Sequence, residues 1–399
     1  MEIINGGVTA PLGFSASGAA CGIKKRGKDL ALIASGPPAI AVGTLTVNRM
    51  RASSVDWAEG VLRRGRARAI VANSGNANCC TGRRGARDTR EMARLAARLL
   101  GTRPEEVFVG STGVIGRPLP MDRLRQGIRQ AARSLSPRGS LSAAEAIMTT
   151  DMHPKEIAVR FRVGGTPVTV GGIAKGSGMI APHMATMFGF LATDARADRA
   201  LLSRILREAV EESFNAITVD GEMSTNDMAL LLANGAAGAP AIRPGSAGAR
   251  ALELAVRKVC RHLAREIVRD GEGVTRMMTV KVTGARSRAE ARRVARQVAN
   301  SALVKTMVAG RDPNWGRVAA AAGASGVPVN PSRVTIRFGR TVVFRRGEPA
   351  RAPQEKLLEE ADQPEVQIGV DLGRGKAGDQ MLSGDFTEGY IRINAKYTT

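Results

Sequence analysis

Lys175–Phe190 reads KGSGMIAPHMATMFGF, and the rest of the 399-residue chain is best understood outward from it. The stretch is glycine-rich, then interrupted by Pro182, and it sets a small residue, Ala185, directly before Thr186. A backbone that bends sharply beside a reacting carbonyl needs glycine's freedom and a small neighbour. A threonine hydroxyl is a weak nucleophile unless a base lies beside it. Cutting the Ala185–Thr186 peptide would free the α-amine of Thr186, whose ordinary pKa of about 7.7–8.0 suits a general base near neutral pH. Nucleophile and base would then share one residue. The same stretch holds GSGMIA, a loose match to the dinucleotide fingerprint GxGxxG/A, after a strand-like VTVGGI. Pro182 falls where the phosphate-binding helix would have to propagate, which argues against a nicotinamide-dependent oxidoreductase. A plain structural loop is the other reading of the segment taken alone.

Composition narrows the chemistry. Hydrophobic residues make up 43 %, enough for a large core in two or three lobes. No apolar run approaches the ~20 residues that span a bilayer. The opening MEIINGGVTAPLGF lacks the basic-then-apolar pattern of a secretory signal, so a cytoplasmic protein without a membrane partner is expected. The cysteines are Cys21, Cys79, Cys80 and Cys260, without CxxC spacing, so neither a disulfide scaffold nor a zinc signature is present. Cys79 and Cys80 read as buried small hydrophobes. Only His153, His183 and His262 complete the usual ligand set, so no metal, no cofactor and no histidine triad are expected. The base must come from elsewhere. A net charge of +23 raises a nucleic-acid partner. Against it, the basic residues lie along amphipathic helices such as LAVRKVCRHLAREI, and 3 % aromatics are too few for base-stacking platforms.

Hydrophobic periodicity predicts short strands at ALIAS and AVGTLTVN, a helix at VDWAEGVLRRG and a buried strand at ARAIVAN. A helix follows over 84–101, then the strand EVFVGSTG, a helix from Met121, and the strands AVRFRVGG and TPVTVGGIAKG. After Thr186 come the helix ADRALLSRILREAVEESF, a strand ending in VDGEMSTND and a helix around ALELAVRKVC. The strands TVKVTG, RVTIRFG, TVVFRRG, EVQIGVDLG and YIRINAKY close the chain. Clustered strands among helices point to an α+β fold, a layered α/β/α sandwich.

The chain resembles the ornithine acetyltransferase (glutamate N-acetyltransferase) family of arginine biosynthesis. The resemblance is carried, in order, by GGVTAPLGF, NSGNANCCTG, STGVIG, MTTD with HPK, KGSGMIAPHMATM, VDGEMSTND, IVRDGEG, GRDPNWGRV and the terminal YIRINAKYTT. It implies a self-cleaving, N-terminal-nucleophile-like acyltransferase, cut between Ala185 and Thr186 into an alpha chain, 1–185, and a beta chain, 186–399. The fragments are expected to stay together as a heterotetramer. Thr186 would take acetyl from N-acetylornithine and pass it to glutamate, with acetyl-coenzyme A as the donor in the family's bifunctional variant. Thr112 and Gly113 would form the oxyanion hole, an effect worth about 3–4 kcal/mol per donor in a protease. Substrate contacts fall on Lys175, Thr186, Glu272, Asn394 and Thr399. Lys175 suits a carboxylate and Glu272 an amine.

The chain departs from the family pattern at Met152 and Met223, where the family usually has threonine. Each swaps a hydroxyl for a longer apolar side chain, so no binding role is carried to Met152, and a shifted acyl donor or acceptor is expected. His183 reads as a supporting residue, and Asp312, Asn314 and Trp315 as a packed turn. The main rival is an aminopeptidase or amidase of related architecture, in which water replaces glutamate as acceptor.

Overall fold

A computed structural model describes residues 1–181 and 187–396. They divide into two compact units: Met1–Asn215 with Glu222–Ile267, and Ala216–Gly221 with residues 268–396.

The first unit is built on a nine-stranded sheet. Its order is Glu2–Ile4, Lys155–Val163, Thr166–Lys175, Phe188–Thr193, Met228–Ala233, Leu30–Leu45, Arg66–Asn76 and Val107–Val114, with Phe14–Ala19 also paired to Leu30–Leu45. Neighbours run antiparallel except for two parallel pairs, Phe188–Thr193 with Met228–Ala233 and Arg66–Asn76 with Val107–Val114. Strand side chains alternate between faces, and here both faces are apolar. Leu30, Leu32, Val71 and Val109 pack under the helices Gly82–Leu100 and Met121–Arg133. Ala31, Ile33, Ile70 and Phe108 join the cluster that holds the helices Ser53–Arg64 and Ser140–Ile147. Helix layers thus flank a sheet, the α+β sandwich that the pattern predicts.

The second unit has a seven-stranded sheet: Glu348–Pro349, Thr341–Arg345, Thr335–Phe338, Glu365–Asp371, Met277–Ala285, Ala377–Gly384 and Ile217–Thr218. Val280, Val282, Ile336 and Ile368 share a core with Val294, Val298 and Val318 from the helices Arg288–Asn300 and Trp315–Gly323. Trp315 stacks on Phe344 with ring centroids 5.1 Å apart and opens the helix Trp315–Gly323, whereas Asp312 and Asn314 of the expected packed turn are exposed.

Two sequence expectations change, and two strands lie where the sequence predicts none. YIRINAKY is not a strand: Glu388–Lys396 is a helix, begun where Thr387 Oγ1 accepts the Gly389 N–H at 3.1 Å. The alternating isoleucines mislead because Ile391 stays 61 % exposed, while the tethering residues Tyr390 and Asn394 lie four apart. The strands Phe188–Thr193 and Met228–Ala233 are buried at every residue, so they lack the alternation that marks a strand. Cys79 is buried as expected, but Cys80 is exposed, with φ 57° and its sulfur 3.7 Å from that of Cys79. Among the described residues no helix is long and apolar enough to cross a membrane, and no cluster of His, Cys, Asp or Glu could hold a metal ion.

Leu32 is fully buried in the sheet face under the two helices. Leu32→Ala is expected to cost about 2–5 kcal/mol through lost burial and the cavity left behind, read as a lower urea midpoint at unchanged slope.

Candidate active site

Parallel pairing brings two small polar motifs side by side. Asn73 lies opposite Ser111, Ser74 opposite Thr112 and Gly75 opposite Gly113, so NSGN and STGV end at the same sheet edge. Gly113 has φ +127°, and a Cβ there would come within 2.4 Å of the Gly75 carbonyl carbon. Only glycine satisfies both demands. Ser111 Oγ donates to Asn73 Oδ1 at 2.7 Å, and Asn73 Nδ2 donates to the Asn76 carbonyl at 2.8 Å, which stiffens the pair of strand ends.

Thr112, 4 % exposed, receives a hydrogen bond from Lys175 Nζ at 3.1 Å. Lys175 is 1 % exposed and is the last residue of Thr166–Lys175. An ammonium only donates, so the Thr112 oxygen accepts here and its own proton remains to be given elsewhere. Beside it lies Asp151, whose Oδ1 accepts from Lys155 Nζ at 2.8 Å and from the Gly176 N–H at 2.7 Å, while Oδ2 accepts the Thr149 N–H at 3.0 Å. Burial opposes its charge, but Lys155 and Lys175 hold the carboxyl down at about 2. Burial also lowers Lys24, with Lys175 adding to the shift and Asp29 and Asp151 working against it.

On the next strands, VDGEMSTND ends in a buried segment. Thr46 Oγ1 donates to the Ser224 carbonyl at 2.8 Å, and the Ala52 N–H to the Thr225 carbonyl at 2.9 Å. Asn226 Nδ2 donates to the carbonyls of Ala77 and Ser111, each at 2.6 Å. Asp227 Oδ1 accepts the Met187 N–H at 2.7 Å. Burial pushes the Asp227 carboxyl well above the ordinary aspartate range, against the pull of that N–H and of Lys175.

In the second unit Glu272, 6 % exposed, accepts from Asn394 Nδ2 at 2.7 Å. The Glu388–Lys396 helix packs against Gly273, φ +69°, where a Cβ would meet the Tyr390 nitrogen at 2.2 Å. Asp385 accepts both the N–H and the hydroxyl of Thr275, at 2.8 and 2.6 Å.

The structure therefore brings Thr112, Gly113 and Lys175 together in the first unit, and Glu272 with Asn394 in the second. Ala185, Thr186, His183 and Thr399 lie outside the described residues. Met152 is 77 % exposed and Met223 half-buried, its carbonyl accepting from Asn48 Nδ2 at 3.0 Å. Asp151 as the hub of two lysines, and Asn226 with Asp227, were not assigned roles from sequence. Asp151→Asn removes the charge shared by Lys155 and Lys175 and should cost about 3–5 kcal/mol at pH 7. A folded pKa of about 2, below the unfolded ~3.9, contributes stability above the unfolded value and loses it as pH falls. Urea midpoints of the two proteins should therefore converge between about pH 4 and pH 2.

The ArgJ family matches residues 15–399. The chain is 52 % identical to the arginine biosynthesis bifunctional protein ArgJ of Symbiobacterium thermophilum, over the whole of both chains. It is 46 % identical to that of Synechocystis, over 100 % of this chain and 99 % of the relative. Among solved structures, the ArgJ of Bacillus halodurans matches with TM-score 0.50 and 38 % identity, covering 53 % of this chain and 98 % of its own. With its strand-end cluster at STGV and its match in sequence from end to end, this chain belongs to the ArgJ family.

Proposed function

We propose that this ArgJ-family acyltransferase moves an acetyl group from N-acetylornithine to glutamate through an ester on Thr186, after cutting itself between Ala185 and Thr186. The observation that carries the reading is the buried hydrogen bond from Lys175 Nζ to Thr112 Oγ1 at 3.1 Å. It commits the Thr112 proton to a second acceptor, beside a glycine whose backbone conformation no other residue fits. An oxyanion is the acceptor that acyl chemistry supplies.

In this mechanism the Thr186 hydroxyl attacks the acetyl carbonyl while its α-amine takes the proton. The oxygen of the tetrahedral intermediate collects the Thr112 hydroxyl and the Gly113 N–H. The intermediate collapses with the proton delivered to the departing ornithine amine, leaving acetyl-Thr186. The amine of glutamate then attacks the ester and restores the free hydroxyl. Lys175 offers charge to a substrate carboxylate; Glu272, held by Asn394, offers it to the ornithine side-chain amine. For self-cleavage the same hydroxyl attacks the Ala185 carbonyl, and water opens the ester so formed.

The sheet supports the two-chain reading. Thr166–Lys175 and Phe188–Thr193 lie on either side of the cut and pair antiparallel, Lys175 opposite Phe188 through Val170 opposite Thr193. Fragments 1–185 and 186–399 would share one sheet and stay together. The Bacillus halodurans chain, matched over 98 % of its length, reaches 53 % of this one, the share that residues 186–399 represent.

Intact mass and N-terminal sequencing should find two fragments, the second starting at Thr186. Thr186→Ala should give one uncut, inactive chain, and Thr186→Ser a slowly cut one. In the cut enzyme, Thr112→Ala is expected to lower kcat about 10²–10³-fold. Incubation with N-acetylornithine and glutamate should yield acetylglutamate. Free acetate as the sole product would sink transfer in favour of an amidase.

A further inference from the structure

Asn226 and Asp227 are adjacent, 4 % and 1 % exposed, and their side chains serve different strands. Asn226 Nδ2 carries two protons, and two carbonyls stand 2.6 Å from it, those of Ala77 and Ser111. Both neighbours are acceptors, so the amide nitrogen must face them, and Thr225 Oγ1 donates to the amide oxygen on the other side. The Ser111 carbonyl belongs to the peptide that carries the Thr112 N–H. The Ala77 carbonyl belongs to the loop after NSGN, whose Ala77 N–H in turn binds the Val114 carbonyl at 3.0 Å. Asp227 Oδ1 accepts the N–H of Met187, and the next residue repeats the tie, with the Met228 N–H donating to the Met187 carbonyl at 3.2 Å. Met187 is covalently next to Thr186. One dipeptide therefore holds the strand of Thr112 and Gly113 with one side chain and the backbone following Thr186 with the other.

We propose that Asn226 and Asp227 are positioning residues, a clamp that sets the spacing between the oxyanion-stabilising strand and the nucleophile strand. The proposal rests on the reading that Thr186 is the nucleophile and Thr112 with Gly113 the oxyanion hole. Reacting atoms must be held at about 3–3.5 Å, and a misplacement of ~1 Å costs on the order of 10²-fold in rate. A clamp of two side chains on neighbouring residues leaves little slack. It acts on the rate of the acyl step and on self-cleavage, whereas substrate affinity is governed by other groups.

The test uses the full chain. The wild type is first shown to cut and to transfer; Asn226→Asp, Asn226→Leu, Asp227→Asn and Asp227→Leu follow, each checked for a folded circular dichroism spectrum. Asn226→Asp sets oxygens against both carbonyls, and kcat on cut enzyme should fall about 10- to 100-fold with KM within about threefold. Asp227→Leu removes the acceptor for Met187 and should block cutting; Asp227→Asn keeps an oxygen there and should restore it. Should the leucine variants fail to fold, the near-isosteric Asn226→Asp carries the test through its kcat-against-KM split. A folded Asn226→Asp enzyme with wild-type kcat, or one altered in KM alone, overturns the clamp, as does an Asp227→Leu chain that cuts at the normal rate. In those cases the wild type is active. A wild type that neither cuts nor transfers overturns the reaction reading and the clamp with it.

Discussion

A buried carboxylate shared by two buried lysines is the constraint on which the first unit's strand-end cluster depends. Asp151 Oδ1 takes two proton donors, Lys155 Nζ at 2.8 Å and the Gly176 N–H at 2.7 Å, and Oδ2 takes the Thr149 N–H. Ionised groups removed from water are tolerated only when paired and hydrogen-bonded. Asp151 meets that condition and sets a negative charge near Lys175, which precedes Gly176 at the end of an inner strand. Lys175 Nζ donates to the oxygen of Thr112, which leaves that hydroxyl's proton for another acceptor. Asp227, close enough for Lys175 to pull on it, is pushed the opposite way by burial. Two aspartates are thus pushed in opposite directions, one held down by its lysine and backbone partners, the other raised by its burial.

Glycine completes the arrangement where side chains cannot enter. At Gly113 the requirement is double, a φ of +127° and a backbone neighbour 2.4 Å from any Cβ. The close approach follows from the parallel pairing with Gly75. Because both strands of that pair point the same way, their carboxyl ends open on one edge. Loops can there present N–H groups without sacrificing ladder bonds. The topology provides the edge; the glycines let the two backbones come together at it.

Much of this was legible in the sequence, for physical reasons that also mark the limits. NSGN and STGV announce strand ends because small polar residues break an apolar run, and both motifs lie where expected. Their adjacency was not legible, since parallel pairing between Arg66–Asn76 and Val107–Val114 joins segments separated by a helix. Phe188–Thr193 and Met228–Ala233 escaped because a strand covered on both faces has no alternation to read. The terminal helix was misread for the opposite reason: Ile391 and Ile393 alternate, although neither is buried. Asp151 and Asp227 look alike as letters. Only their neighbours, two ammonium groups for one and an apolar strand for the other, separate them.

The place of the expected cut follows the same logic. The expected cut falls, in sequence, between two strands whose ladder runs from Lys175–Phe188 back to Val170–Thr193. A break at Ala185–Thr186 removes no bond of that ladder. A cut also ends loop closure, whose entropy depends weakly on length once the ends are fixed by pairing. The sheet also holds Met187 from the next strand over, through the Asp227 carboxyl and the Met228 N–H. A chain end created one residue before Met187 would therefore begin from an anchored point, where new termini ordinarily fray. That anchoring is what a terminal nucleophile requires. Its amine and hydroxyl gain their chemistry from being an end, and their aim from the strand that follows.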